Sequence, residues 1–141
     1  MTSGTITITR TVAASLERVY AAWTEPQQLA AWWWPQLAGT TYDLDVRVGG
    51  TYRIHAPTAD LTASGRYTEV DPPRRLAFTW SWADQDTSAG DVFEDQVLVT
   101  FEPTDDGHTR VTVAHTSTEH VPGGGAEQGW NDTMDRLVAM W

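Results

Sequence analysis

Cysteine and lysine are both absent from this 141-residue sequence. Without cysteine the chain can form no disulfide, no thiolate nucleophile and no cysteine metal ligand, a composition that fits a reducing compartment. Without lysine it can form no Schiff base through a side-chain amine. These two absences exclude several classes of covalent and metal chemistry at once.

Positive charge and long apolar runs are also scarce. The formal net charge is −10, so the chain lacks the basic surface that nucleic acid or anionic lipid would attract. No apolar run approaches the roughly 20 residues of a membrane span, and the first residues do not resemble an export signal. We therefore expect a cytoplasmic protein with no nucleic-acid or membrane partner. The length predicts a single domain, 1–141, and a homodimer remains compatible with the sequence.

Tryptophan, by contrast, is abundant. Four of the eight tryptophans lie between Trp23 and Trp34. Such a cluster must either pack against a large apolar surface or line a hydrophobic hollow.

Periodicity predicts one strand, two short helices, a run of strands and a final helix. Threonine and isoleucine alternate over 5–11, which is typical of a strand. Ser15 precedes apolar residues at helical spacing and predicts a helix from Leu16, and Pro26 suits the first turn of a second helix that ends near Trp33. The remaining predicted strands cover 42–48, 51–56, 62–70, 75–82, 92–102 and 108–117, and the final helix covers about 126 to 141.

The final helix is amphipathic, and one such helix must cover one face of an antiparallel sheet. A sheet that curls round a helix leaves space between them in which a ligand can lie.

Several segments resemble a known family. They are ERVYAAWTEPQQLAAWW near the start, a glycine pair at 49–50, GRYTEVDPPRRL at 65–76, FTW at 78–80, TRVTV at 109–113 and the Gly129–Trp130 pair. Together they are similar to the START-like (SRPBCC) helix-grip superfamily, in the branch related to the activator of the Hsp90 ATPase. Trp34 departs from that pattern, because the family usually has glycine there.

The resemblance implies an α+β helix-grip fold, with a curved antiparallel sheet of about six to seven strands wrapped round a long C-terminal helix. It places two short helices after the first strand. Relatives bind lipids, polyketides, hormones or aromatic compounds in the cavity under the long helix. Some transform the bound molecule, and others act as resistance proteins or co-chaperones.

Strand alternation selects candidates for acid–base chemistry. Val113 and His115 share the face that should look toward the helix, and Asp95 and Val97 share it on the partner strand. Counting back from the intervening turn places Val97 opposite His115 and Asp95 on a diagonal. A carboxylate beside an imidazole orients it and raises its basicity, and Tyr67 could donate a proton. The alternative is a hydrogen-bonded core histidine, a solvated aspartate and a tyrosine with a structural partner.

Inward-facing apolar residues are the candidates for a ligand-binding wall, although plain core packing would use the same positions. These candidates are Trp33, Tyr52, Ile54, Phe78, Trp80, Trp82, Val97, Val99, Val113, Trp130 and Met134. We expect no metal, because His115 and His120 lie five residues apart and face different directions, and we expect no cofactor, because no phosphate-binding glycine loop is present.

The residues and the resemblance together leave three functions open. The first is binding of a small, neutral, hydrophobic molecule, for which we expect an aromatic one, between the sheet and the final helix. The second is a cofactor-independent enzyme of the cyclase, hydratase, lyase or proton-transfer type that uses His115, Asp95 and Tyr67. The third is a module that activates a chaperone ATPase.

Overall fold

The computed structural model describes residues 4–83, 95–117 and 124–141. Within these ranges a single antiparallel sheet of seven strands has the order β1-β7-β6-β5-β4-β3-β2. The elements are β1 (Gly4–Val12), α1 (Leu16–Thr24), α2 (Pro26–Leu29), β2 (Thr41–Leu44), β3 (Thr51–Ala56), β4 (Leu61–Asp71), β5 (Arg75–Ala83), β6 (Asp95–Pro103), β7 (Thr109–Ser117) and α3 (Gly124–Val138). This arrangement confirms the α+β helix-grip fold, including the two short helices after the first strand.

The first helix begins where its sequence predicts. Ser15 occupies the N-cap with an extended backbone (φ −67°, ψ 159°), and the helix buries the apolar face that contains Val19, Tyr20 and Trp23. The second helix is shorter than predicted and ends at Leu29 instead of near Trp33. Turns continue the chain from there, with the Trp33 amide donating to the Leu29 carbonyl at 2.9 Å.

Two other boundaries differ from the prediction. The second strand ends at Leu44 instead of residue 48, because local turn bonds replace the ladder: Arg47 N–H donates to Asp45 O and Gly50 N–H donates to Arg47 O. The final helix begins at Gly124, two residues before the predicted start, and ends at Val138. The predicted start of the sixth strand, 92–94, lies outside the described residues.

The register of the β6–β7 hairpin agrees with the count from its turn. Val97 pairs with His115, and Val99 pairs with Val113. The helices divide the covered face of the sheet: α3 contacts β1, α1 contacts β6 and α2 contacts β2. No helix among the described residues combines the length and the apolar character that crossing a membrane requires.

Candidate functional site

A cavity lies between the first two helices and strands β2–β5. Its volume is about 30 Å³. This is room for one or two water molecules, far below the roughly 300 Å³ at which ligand pockets usually begin. The described residues in its wall are Trp23, Leu29, Trp33, Leu44, Tyr52, Ile54, Tyr67, Leu76, Phe78 and Trp80.

Part of this wall was predicted from the sequence. The predicted ligand-binding residues in the wall are Trp33, Tyr52, Ile54, Phe78 and Trp80. Those that are buried in the core but lie outside the described wall are Val97, Val99, Val113, Trp130 and Met134. The Trp82 side chain lies outside the described part of the structure.

The cavity also differs in place from the prediction. We expected it beneath the final helix, but its described wall is built from α1, α2, the segment after α2 and strands β2–β5. Sequence reasoning missed four wall residues. Trp23, Leu29, Leu44 and Leu76 carry only the periodicity of ordinary core positions, so the sequence gives no signal that separates a wall position from a packed one.

Trp33 is the centre of a tryptophan cluster beside the cavity. Its ring centroid lies 5.6 Å from Trp32, 6.1 Å from Trp34, 5.9 Å from Trp80 and 5.6 Å from Trp130. The interplanar angles of 53–86° are those of tilted and edge-to-face pairs, which aromatic quadrupoles favour. These rings therefore fill most of the space that a larger cavity would occupy.

Hydrogen bonds from three elements hold the backbone of this cluster. The Trp32 indole donates to the Ala22 carbonyl at 3.0 Å, and Arg136 Nε of α3 donates to the Trp32 carbonyl at 3.0 Å. The Tyr42 hydroxyl of β2 donates to the Trp33 carbonyl. The segment after α2 is thus fixed to α1, α3 and β2.

The departure at Trp34 now has a structural meaning. Its φ is +53°, in the left-handed region that favours glycine, which is the residue that the resemblance led us to expect there. A side chain in this conformation costs about 1–2 kcal/mol. Trp34 retains only 8% of its exposure, and its ring contacts Trp33, so packing offsets the strain.

His115, Asp95 and Trp130 form a buried hydrogen-bonded chain. His115 Nε2 lies 2.7 Å from Asp95 Oδ2, and the Trp130 indole donates to His115 Nδ1 at 2.9 Å. An indole nitrogen can only donate, so Nδ1 must be the unprotonated nitrogen and Nε2–H must donate to the carboxylate. Both ring nitrogens of His115 are therefore engaged.

This hydrogen-bonded chain lies directly behind the cavity wall. The Trp80 ring lies 5.8 Å from His115 and 5.4 Å from Trp130. The structure thus brings His115 and Asp95 together, as their register predicts, but it places Tyr67 in the cavity wall and leaves the other two outside the described wall. The three predicted catalytic residues do not share one surface.

The two wall tyrosines, Tyr52 and Tyr67, are neutral phenols. Burial, and to a lesser extent Tyr67, raises the pKa of Tyr52 well above its usual value, and its hydroxyl donates to the Thr79 carbonyl at 2.7 Å. Burial also raises the pKa of Tyr67, with smaller contributions from Tyr20 and Asp45. Neither phenol ionises at neutral pH.

The same effect predicts an unusual alkaline titration. Burial is the largest cause of a raised pKa for each of the four tyrosines, Tyr20, Tyr42, Tyr52 and Tyr67. The unfolded chain loses its phenol protons near pH 10, whereas the folded chain retains them. The tyrosines therefore contribute stability that is fully present below about pH 10 and is lost as the pH rises further. We expect tyrosinate absorbance to appear in one step with the loss of folded tryptophan fluorescence.

The urea-unfolded protein is the control for this titration, and its tyrosines should ionise gradually around pH 10. Gradual ionisation near that pH with the fold intact would contradict the prediction.

The chain matches known proteins in sequence and in fold. The family model described as "Activator of Hsp90 ATPase homolog 1-like protein" matches residues 13–141. Ms6760 from Mycobacterium smegmatis is 27% identical with a TM-score of 0.74, over 96% of this chain and 89% of that one. CalU16 from Micromonospora echinospora is 21% identical with a TM-score of 0.69, over 96% and 73% of the two chains.

A further structure of the same fold is PFC0360w, an HSP90 activator from Plasmodium falciparum. It is 19% identical with a TM-score of 0.71, over 96% of this chain and 94% of that one. No curated protein sequence matches the chain significantly. Since the family match spans all but the first twelve residues, the chain belongs to the Activator of Hsp90 ATPase homolog 1-like family.

Proposed function

We propose that this protein binds a small, uncharged molecule with an aromatic ring in the cavity between α1–α2 and β2–β5. The observation that carries the proposal is the wall itself, in which six of the ten described residues are aromatic and the other four are leucine or isoleucine. No charged side chain belongs to this described wall. A charged ligand would lose its hydration there without compensation, whereas an aromatic one would gain ring contacts.

Binding requires the wall to open. A cavity of roughly 150 Å³ accommodates benzene, and the present volume is about 30 Å³. Two wall residues, Leu44 on β2 and Trp80 on β5, are only half-buried, so the wall is nearest to solvent at these two positions. Leu44 lies on β2, a four-residue edge strand that pairs with β3 alone. A short edge strand is the part of a sheet that separates at least cost, so β2 is the expected entrance.

Tetralin, a neutral bicyclic hydrocarbon, is a suitable probe. We expect saturable changes in the indole N–H resonances of the wall residues Trp23, Trp33 and Trp80, with little change at Trp141, which lies outside the described wall. Leu44→Phe should weaken binding about tenfold because the larger ring occupies the cavity. Leu37→Phe is the matched control, since Leu37 is also half-buried but does not belong to the described wall.

Absence of saturable changes up to the solubility of tetralin would overturn the proposal. Equal changes at Trp141 and at the wall would also overturn it, because they would indicate weak surface association.

An enzymatic role for His115, Asp95 and Tyr67 stays a prediction. It requires a base with a free lone pair, but Nδ1 of His115 already accepts the Trp130 indole proton and Nε2 faces Asp95. Trp130 would have to withdraw before His115 could accept a proton from a substrate. The geometry therefore favours binding over catalysis at this pair.

A chaperone-activating role also stays a prediction. Docking on a partner commonly uses an exposed apolar patch. Among the described residues, the exposed large hydrophobic side chain is Val48, in the β2–β3 turn, at 68% exposure. One side chain does not make a patch, so the described surface does not favour this role over ligand binding.

A further inference from the structure

Three buried hydrogen-bond donors lack any partner within the described part of the chain. They are the hydroxyl of Tyr20 and the indole nitrogens of Trp23 and Trp33. Trp23 and Trp33 each retain only 4% of their exposure, so these donors are not open to bulk solvent. Buried polar groups in folded proteins nearly always have a partner, and an exception calls for an explanation.

Two buried indole groups outside the described wall are paired, whereas two in the wall are not. Trp32 and Trp130 lie outside the described cavity wall, and their N–H groups are satisfied by the Ala22 carbonyl and by His115. Trp23 and Trp33 both belong to the wall, and their N–H groups are unsatisfied. The unpaired donors are thus found on rings that a ligand would contact.

The hydroxyl of Tyr52 also bears on which ligand groups the wall can bind. Tyr52, also in the wall, already donates its hydroxyl proton to the Thr79 carbonyl. The described wall contains no carboxylate, and its indoles can only donate. A ligand group that must itself donate finds only the two tyrosine hydroxyl oxygens as side-chain acceptors in the described wall, whereas a group that only accepts is matched by the unpaired indole donors.

We propose that the ligand is an aromatic ketone or quinone whose carbonyl oxygen accepts hydrogen bonds from the indole N–H groups of Trp23 and Trp33. A carbonyl oxygen has two lone pairs and can accept from both donors. It is uncharged, so it enters an apolar cavity without the cost of burying an ion. This inference rests on the proposed function and specifies the class of molecule that the same cavity takes.

The test compares α-tetralone with tetralin, which share a bicyclic skeleton and differ by one carbonyl group in place of a methylene. In a cavity without donors, the ketone binds more weakly than the hydrocarbon because it loses its hydration. With the two indole donors, we expect α-tetralone to bind about tenfold more tightly than tetralin, which corresponds to about 1.4 kcal/mol. The indole proton resonances of Trp23 and Trp33 should move downfield with the ketone and not with the hydrocarbon.

Trp33→Phe removes one donor and keeps an aromatic ring. We expect it to lower affinity for α-tetralone about tenfold and to change affinity for tetralin by less than about threefold. The matched control is Trp32→Phe, which removes an indole that is already paired and lies outside the described wall. This control should alter the affinities for both probes by the same factor.

The outcomes separate the two proposals. If neither probe binds, the proposed function fails, and this inference fails with it. If both bind but tetralin is the tighter and no downfield shift appears at Trp23 or Trp33, the cavity binds hydrocarbons and the carbonyl assignment is wrong. The comparison of probes on the unaltered protein gives this result even where a variant does not fold.

Discussion

His115→Ala is expected to lower the free energy of unfolding by about 3–5 kcal/mol. The substitution removes two hydrogen bonds at once. One is donated by the Trp130 indole to His115, and the other is donated by His115 to Asp95. Asp95 and Trp130 retain 6% and 4% of their exposure, so water cannot replace the lost imidazole without opening the core. Loss of a hydrogen bond to a buried carboxylate is costly because the charge is then less well compensated in the protein interior. Urea unfolding at an unchanged m-value would measure the loss.

His55→Ala is the matched control for this substitution. His55 is only half-buried and its Nδ1 forms a single hydrogen bond to the Thr62 hydroxyl, at 2.9 Å. Its loss should cost less than about 1 kcal/mol. A loss at His115 no larger than that at His55 would contradict the buried hydrogen-bonded chain.

A double-mutant cycle isolates the bond between helix and sheet. Trp130→Phe removes the indole donor, so His115→Ala in that background should cost about 1–2 kcal/mol less than it does alone. Additivity within about 0.5 kcal/mol would show that the Trp130–His115 bond contributes nothing measurable. The cycle bears on function as well, because this bond occupies the nitrogen that a catalytic base would need.

The sequence allowed the hairpin around His115 to be predicted almost completely. Period-two alternation defines which side chains share a face, and the turn between the two strands fixes which residues are paired. The pairing of Val97 with His115 and the approach of Asp95 both follow from these local rules. Local geometry decides this pairing and this approach, so both can be predicted from a single sequence.

Trp130, the third member of the hydrogen-bonded chain, could not be predicted in this way. Helical spacing puts Trp130 on the inner face of α3, but it does not determine how far α3 slides along the sheet or how it rotates. Only the docked helix brings the Trp130 indole to His115 Nδ1. The contact therefore depends on packing between elements that are distant in sequence, and it changes His115 from a candidate base into a group with both nitrogens engaged.

The volume of the cavity could not be predicted from the sequence either, for a different reason. Trp33 and Trp80 were predicted to be inward-facing, and both are in the wall. The remaining volume is the small difference between the space under the helices and the sum of many side-chain volumes. The rotamers of the wall side chains enter that difference, and a pattern of apolar residues contains no information on rotamers.

Gly65→Ala is expected to destabilise the protein by at least about 3 kcal/mol. A Cβ atom at this position would overlap the carbonyl of Thr79 on the neighbouring strand β5, and it would also meet the Thr79 hydroxyl. Because the obstacle is backbone, no rotation of a side chain can remove the overlap, and the two strands would have to separate. Separation would disturb the bond from the Arg66 amide to the Thr79 hydroxyl, at 3.0 Å.

This glycine also supports the candidate site. The Thr79 carbonyl that Gly65 approaches accepts the hydroxyl proton of Tyr52, which belongs to the cavity wall. Any fraction of Gly65→Ala that folds should therefore show altered ring resonances of Tyr52 and weaker tetralin binding.

Gly129→Ala is the matched control, because a Cβ at this position in α3 would meet nothing within 4 Å. Alanine in a helix interior is favoured over glycine by about 0.5–1 kcal/mol, so this variant should be slightly more stable than the parent. The same substitution is thus expected to lower the stability of the protein at Gly65 and to raise it at Gly129. Comparable stabilities of the two variants in urea would mean that β4 and β5 do not approach each other as closely at Gly65 as the structure shows.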